Sequence, residues 1–95
     1  MKIVWTAEAE DDYFENIEFL MSNWSEAVTR EFLDDVARCL DLILRFPDMF
    51  PQSDYKGVRK AVIRRQISLF YLVDGDQLIL LRFWNNYRDP QDIKF

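Results

Sequence analysis

VRKAVIRRQISLFYLVDGDQLILLRFW, residues 58–84, decides the fold. It is dense in β-branched and aromatic residues, which suit a pleated, half-buried surface. Asp74-Gly75-Asp76 interrupts it with a hairpin-type break. The pattern predicts strands near 58–65, 67–74 and 77–84. A period of two places Ile79, Leu81 and Phe83 on one face of the last strand and Leu80, Arg82 and Trp84 on the other. By the same alternation Arg59 and Arg65 point to one side of the first strand, Lys60 and Arg64 to the other.

Upstream the period changes. Tyr13, Ile17, Leu20, Met21 and Trp24 recur on one face of a helix, with Thr6 as its cap. Ser25 caps a second helix, whose stripe of Val28, Phe32, Val36, Cys39, Leu40 and Ile43 runs to Phe46. Pro47 stops it, because proline cannot continue the hydrogen-bond ladder. Almost no linker separates the helices, so an αα-hairpin is expected. Lys2–Trp5 reads as a short strand. Residues 47–57, with two prolines and a glycine, read as a surface loop pinned by Met49 and Phe50. The expected fold is therefore α+β, in the order β-α-α-β-β-β, with the helical hairpin on one face of a small antiparallel sheet.

At 95 residues the chain has room for a single domain, residues 1–95. No apolar run approaches the roughly 20 residues that span a bilayer. The N-terminus lacks signal-peptide features, and one cysteine excludes an internal disulfide, so a cytoplasmic protein is expected. The chain has no histidine, which removes His-based acid–base catalysis, the usual triads and most zinc sites. Charge is unevenly spread. Residues 1–57 hold five Lys/Arg against thirteen Asp/Glu, and residues 58–95 hold seven against four. An acidic first half speaks against general nucleic-acid binding, while a basic patch in the second half stays open.

Three clusters need weighing. Glu8, Glu10, Asp11 and Asp12 fan around a helix start, so they suit the helix dipole rather than one metal ion. Cys39 lies on an apolar stripe and reads as a small hydrophobe. Arg59, Lys60, Arg64 and Arg65 either protect an edge strand by charge or form an anion- or partner-binding face. The end of the last strand is different. Arg82 inside an apolar strand needs a partner or solvent. Arg82, Trp84, Tyr87 and Arg88 are residue types favoured at binding hot spots and in base stacking. They form the first candidate contact surface, with Asp89-Pro90 as its supporting turn; Arg59 and Arg64 come second.

The opening VWTAEAEDDYFENIEFL, the FPDMF segment, the VRKAVIRRQISLFYLVDGD hairpin and the closing LLRFWNNYRDP together resemble the RelE/ParE superfamily of type II toxins. The resemblance implies a toxin encoded beside an antitoxin that wraps over it and silences it, with a role in plasmid stabilization and growth inhibition. One branch of the family cleaves mRNA on the ribosome with basic residues and often a tyrosine, without a metal. The other, ParE-like, poisons DNA gyrase and has lost that catalytic set. This sequence keeps Arg59 but has Ala61 and Ser68 where the nuclease branch has further basic residues. The ParE branch is therefore nearer, and no metal or cofactor is expected. As a nuclease the chain would use Arg59, Arg82 and Arg88 on the phosphate and Tyr87 as proton shuttle. A third reading is a non-toxic member kept as a binding partner. Apolar surface left by a missing antitoxin would drive self-association, so a homodimer or a toxin–antitoxin hetero-oligomer is expected.

Overall fold

A computed structural model describes residues 1–64 and 66–95; the expected placement of Arg65 lies outside them. The element order is β1 (Lys2–Trp5), α1 (Ala7–Asn23), α2 (Glu26–Arg45), β2 (Arg59–Arg64), β3 (Ile67–Asp74), β4 (Gln77–Asn85) and a 3-10 turn at Pro90–Asp92. This is the α+β order expected from the sequence.

Local signals set the boundaries. Thr6 caps α1 by accepting the Ala9 N–H, and Ser25 caps α2 by accepting the Val28 N–H. Asp74 pairs with Gln77 across a two-residue turn in which Gly75 takes φ +58°, the left-handed value required of the first residue of a type II′ turn.

The four described strands lie in the order β1-β4-β3-β2. β2, β3 and β4 are antiparallel neighbours, while β1 joins β4 in parallel, so the sheet is mixed rather than wholly antiparallel. The turn before β4 and β4 itself anchor the two ends of β1: Lys2 N–H donates to the Asp76 carbonyl, and Thr6 Oγ1 donates to the Leu80 carbonyl at 2.8 Å.

The two helices cover one face. Phe32, Val36, Cys39 and Ile43 of α2, with Ala9 and Leu20 of α1, bury Leu69, Tyr71, Leu78, Leu80 and Phe83. Burying each large side chain stabilises the fold by about 1.5–3 kcal/mol. The opposite face carries a smaller cluster of Val58, Phe70, Trp84 and Ile93, with Tyr55 beside it. Phe95 rests edge-on against Tyr55 at 4.8 Å, so the C-terminal residues strap this outer face.

Two irregularities overturn the expected facing of side chains. Phe70 pairs with Arg82 but Tyr71 with Leu80, leaving Leu81 as an extra residue. The bulge reverses the alternation, so Phe83 joins Leu78 and Leu80 on the helix side and Leu81 joins Trp84 outside. A second shift between Val62 and Arg64 turns Arg64 to the helix side, the same side as Arg59, while Lys60 lies outside over the Phe70 ring. The expected single stripe on α1 also divides. Leu20 is buried, whereas Met21 and Trp24 are exposed. In the loop before β2, Phe50 packs on the core but Met49 is exposed.

Burial pushes the Cys39 thiol from its usual 9.0 up to about 11. Burial likewise pushes the Tyr71 phenol from 10.0 up to about 12, against the lowering influence of Arg59. The folded protein then holds both protons more tightly than the unfolded chain does. This contribution is complete below about pH 9 and is lost as pH rises toward 12. Urea midpoints are expected to decline across that window, and Cys39→Ala should move the start of the decline toward pH 10. A flat profile to pH 12 would contradict the burial assignment.

Candidate contact surface

The surface is built at the end of β4, where β1 no longer covers the strand. β1 reaches only Leu80, so the Phe83 N–H has no strand partner on that side. Asp12 of α1 supplies one: its Oδ2 accepts the Phe83 N–H at 3.1 Å. The same carboxylate accepts Arg82 Nε at 2.7 Å and Nη2 at 3.0 Å, a forked pair across 70 positions of chain. Arg82 Nη1 donates to the Lys94 carbonyl, which ties down the C-terminal strap. The hydrogen bond to Asp12 holds the Arg82 pKa above its usual value, although burial opposes the shift. Asp12 is thus a buried structural anchor, not one more member of a solvated first turn.

Beyond the strand, Asn85 shapes a tight turn. Its carbonyl accepts the Arg88 N–H at 3.0 Å and its side-chain Oδ1 accepts the Tyr87 N–H at 2.9 Å. Tyr87 is left 80% exposed at the tip. Arg88 folds back, its guanidinium 4.2 Å from the Trp84 ring centre. Asp89 then caps the 3-10 turn by accepting the Gln91 N–H.

Arg88 separates two clefts. One, of about 320 Å³, lies on the outer face among Tyr55, Lys60, Phe70, Trp84, Asn86 and Arg88. The other, of about 240 Å³, lies between α1 and the end of β4, lined by Asn16, Phe19, Phe83, Asn85 and Arg88. Lys60 came from the basic strand and Asn86 from the stretch after Trp84, whereas Tyr55 was not singled out from sequence. The aromatic and cationic content of 55–60 was visible, but its approach to residue 88 depends on the sheet.

The six candidate residues do not converge. Tyr87 and Arg88 lie together at the exposed turn. Trp84 is only 3% exposed and serves as the floor beneath Arg88. Arg82 is engaged by Asp12. Arg59, on the helix side, donates to the Phe50 carbonyl at 2.6 Å and faces Asp48 at 3.4 Å. Arg64 faces Asp35 at 3.6 Å and Glu31 at 3.7 Å on α2. Arg59, Arg64 and Arg82 clasp the fold, which leaves Arg88 as the exposed cation of the six, with half-buried Lys60 across the outer cleft from it. Among the described residues, no three His, Cys, Asp or Glu side chains group to hold a metal ion. No helix among them is long and apolar enough to cross a membrane.

This fold is the fold of solved toxin structures. The chain superposes on the chromosomal ParDE TA system from P. aeruginosa with a TM-score of 0.77 at 18% identity, covering 90% of this chain and 95% of that one. The YoeB/ParE toxin from Agrobacterium tumefaciens gives 0.67 at 21% identity, covering 92% and 100%. The heterotetrameric YoeB-YefM toxin-antitoxin complex from Staphylococcus aureus gives 0.62 at 17%, covering 92% and 98%. A search of curated proteins finds no match. The family model described as the ParE toxin of the type II toxin-antitoxin system, parDE, matches residues 3–90. The chain therefore belongs to the ParE toxin family, within the RelE/ParE superfamily.

Proposed function

We propose that this protein is a toxin that arrests growth in the cytoplasm by binding a protein target, DNA gyrase, and that a cognate antitoxin silences it. Tyr87 and Arg88 make the principal contacts, presented by the Asn85 turn and seated on Trp84. The observation that carries this reading is the separation of the nuclease candidates. Cleavage by the RNA 2′-hydroxyl needs a base, an acid and free cations around one phosphate. Arg59 and Arg82 are instead held by carbonyls and carboxylates, on the helix side of the sheet and at its rim. Tyr87 and Arg88 stand apart from Arg59. An exposed tyrosine beside an arginine is the usual composition of a protein-binding hot spot.

One feature favours the ribosome-dependent mRNA endonuclease as the second reading. The outer cleft gathers Lys60 and Arg88 with the rings of Tyr55, Phe70 and Trp84, which suits stacked bases and a phosphate backbone. Primer extension on messages from induced cells separates the two. Intact messages and a DNA-damage response are expected. Codon-linked cuts in translated messages would support the nuclease, and harmless overexpression would mark a non-toxic binding partner.

A further inference from the structure

The outer face of the sheet has donors without acceptors. Among the described residues, two buried side-chain atoms without a hydrogen-bond partner, Ser68 Oγ and Trp84 Nε1, belong to one directly opposed pair of β3 and β4. Trp84 is 3% exposed and lines the outer cleft. An indole N–H can only donate, and folded proteins rarely leave such a buried donor unpaired. Two cations line the same cleft, Lys60 from β2 and Arg88 from the turn after β4. Arg59, Arg64 and Arg82 pair with carboxylates, whereas among the described residues Lys60 and Arg88 pair with none.

Charge and the placing of the rings select the ligand. The cleft sets Lys60 and Arg88 against a single acid, Asp54, which is exposed. One added carboxylate balances that lining. A nucleic-acid strand instead brings a negative charge with every nucleotide, to a chain whose net charge is already −5. Stacked bases also need free ring faces. Here Arg88 lies 4.2 Å and Arg82 5.1 Å from the Trp84 ring centre. Lys60 and Phe95 lie against Phe70, and Phe95 lies against Tyr55. The rings are thus engaged as walls, and the groups left to bind are donors.

We infer that the outer cleft is a carboxylate receptor that takes one Asp or Glu side chain of the protein target, with Trp84 Nε1, Lys60 and Arg88 as donors. The two oxygens of a carboxylate accept several hydrogen bonds, and those from charged donors are the strong ones. The inference rests on the target-binding reading above and deepens it. Tyr87 and Arg88 make the outer contact, and the cleft beside them recognises the charge of the partner residue. Lys60 is half-buried, so salt screens its attraction less than that of an open surface charge.

The test follows the indole N–H signals of the isotope-labelled full chain by NMR. The chain has three tryptophans, so Trp5→Phe and Trp24→Phe assign the Trp84 signal by elimination. The probes are glutamate blocked at both backbone ends, glutamine blocked in the same way, and adenosine monophosphate. Blocked glutamate at millimolar concentration should move the Trp84 signal saturably and leave Trp5 and Trp24 still. Blocked glutamine should not move it. Lys60→Gln should weaken the glutamate response about 10-fold, since a hydrogen bond to a charged group is lost. The same variant, with a wild-type melting curve, should be about 10-fold weaker as an inhibitor of purified DNA gyrase. A Trp84 signal that ignores blocked glutamate would overturn the receptor, while gyrase inhibition by the wild-type chain would leave the target reading standing. A response to adenosine monophosphate at lower concentration than to glutamate would assign the cleft to nucleic acid and overturn it as well. Unchanged gyrase inhibition by Lys60→Gln would remove the cleft from the target interface. A wild-type chain without effect on gyrase would overturn the target reading, and the occupant inferred here with it.

Discussion

Asp12→Ala should destabilise the protein by about 3–5 kcal/mol, as expected when one partner of a buried ion pair is removed. The carboxylate serves two groups at once, the Arg82 guanidinium and the Phe83 N–H. Its loss strands a guanidinium that is only 14% exposed and leaves a strand N–H unpaired. A domain of this size has a total stability of about 5–15 kcal/mol, so the variant approaches unfolding. Arg82→Met in the same background should cost less than the sum of the two single changes, because the stranded charge is gone. Urea denaturation of the four proteins measures the coupling. Additive losses would mean that the pair is not a unit. Lys94 is tied to the same guanidinium, so Asp12→Ala should also loosen the C-terminal strap.

The second large effect concerns activity. Tyr87→Ala with Arg88→Ala should abolish growth arrest while leaving the fold intact. Tyr87 touches little of its own chain, and Arg88 rests on the outside of Trp84. Hot-spot truncations cost about 2 kcal/mol or more each, so the pair should weaken target binding about 1,000-fold. Trp84→Ala is a poor probe of the same surface. Its ring is buried, and removing such a ring costs about 3–5 kcal/mol of stability. Loss of toxicity in that variant would report unfolding rather than contact. Full toxicity of the Tyr87/Arg88 double variant, with a wild-type melting curve, would remove this turn from the target interface.

The α+β order was legible because its signals are local. Thr6 and Ser25 cap their helices, Pro47 ends the second, and Gly75 permits its turn. The facing of the strand residues was not. Strict alternation assigns Phe83 and Arg64 to the wrong sides, because one extra residue at Leu81 and one shift near Ile63 reverse it. Nothing in the hydropathy of LILLRFW marks which leucine is extra. The parallel entry of β1 was hidden for another reason. It depends on β4 offering its free edge after both helices have crossed the sheet.

The candidate surface was legible in composition and misleading in geometry. Arginine in an apolar strand signalled a need for a partner or solvent, and in the fold Asp12 is its partner. The same pairing withdraws Arg82 from the surface. Asp12 looked like one more acid in a helix start, and only the fold separates it from Glu8, Glu10 and Asp11. The C-terminal residues had no readable period. Ile93 and Phe95 nevertheless close the outer face, and Ile93 helps to shape the cleft beside Arg88.

Purified DNA gyrase offers the decisive assay: supercoiling of relaxed plasmid with increasing amounts of the protein. A gyrase-directed toxin should inhibit the reaction and accumulate cleaved DNA, and the Tyr87/Arg88 double variant should do neither. Undiminished supercoiling at saturating protein, together with cut messages in induced cells, would contradict it.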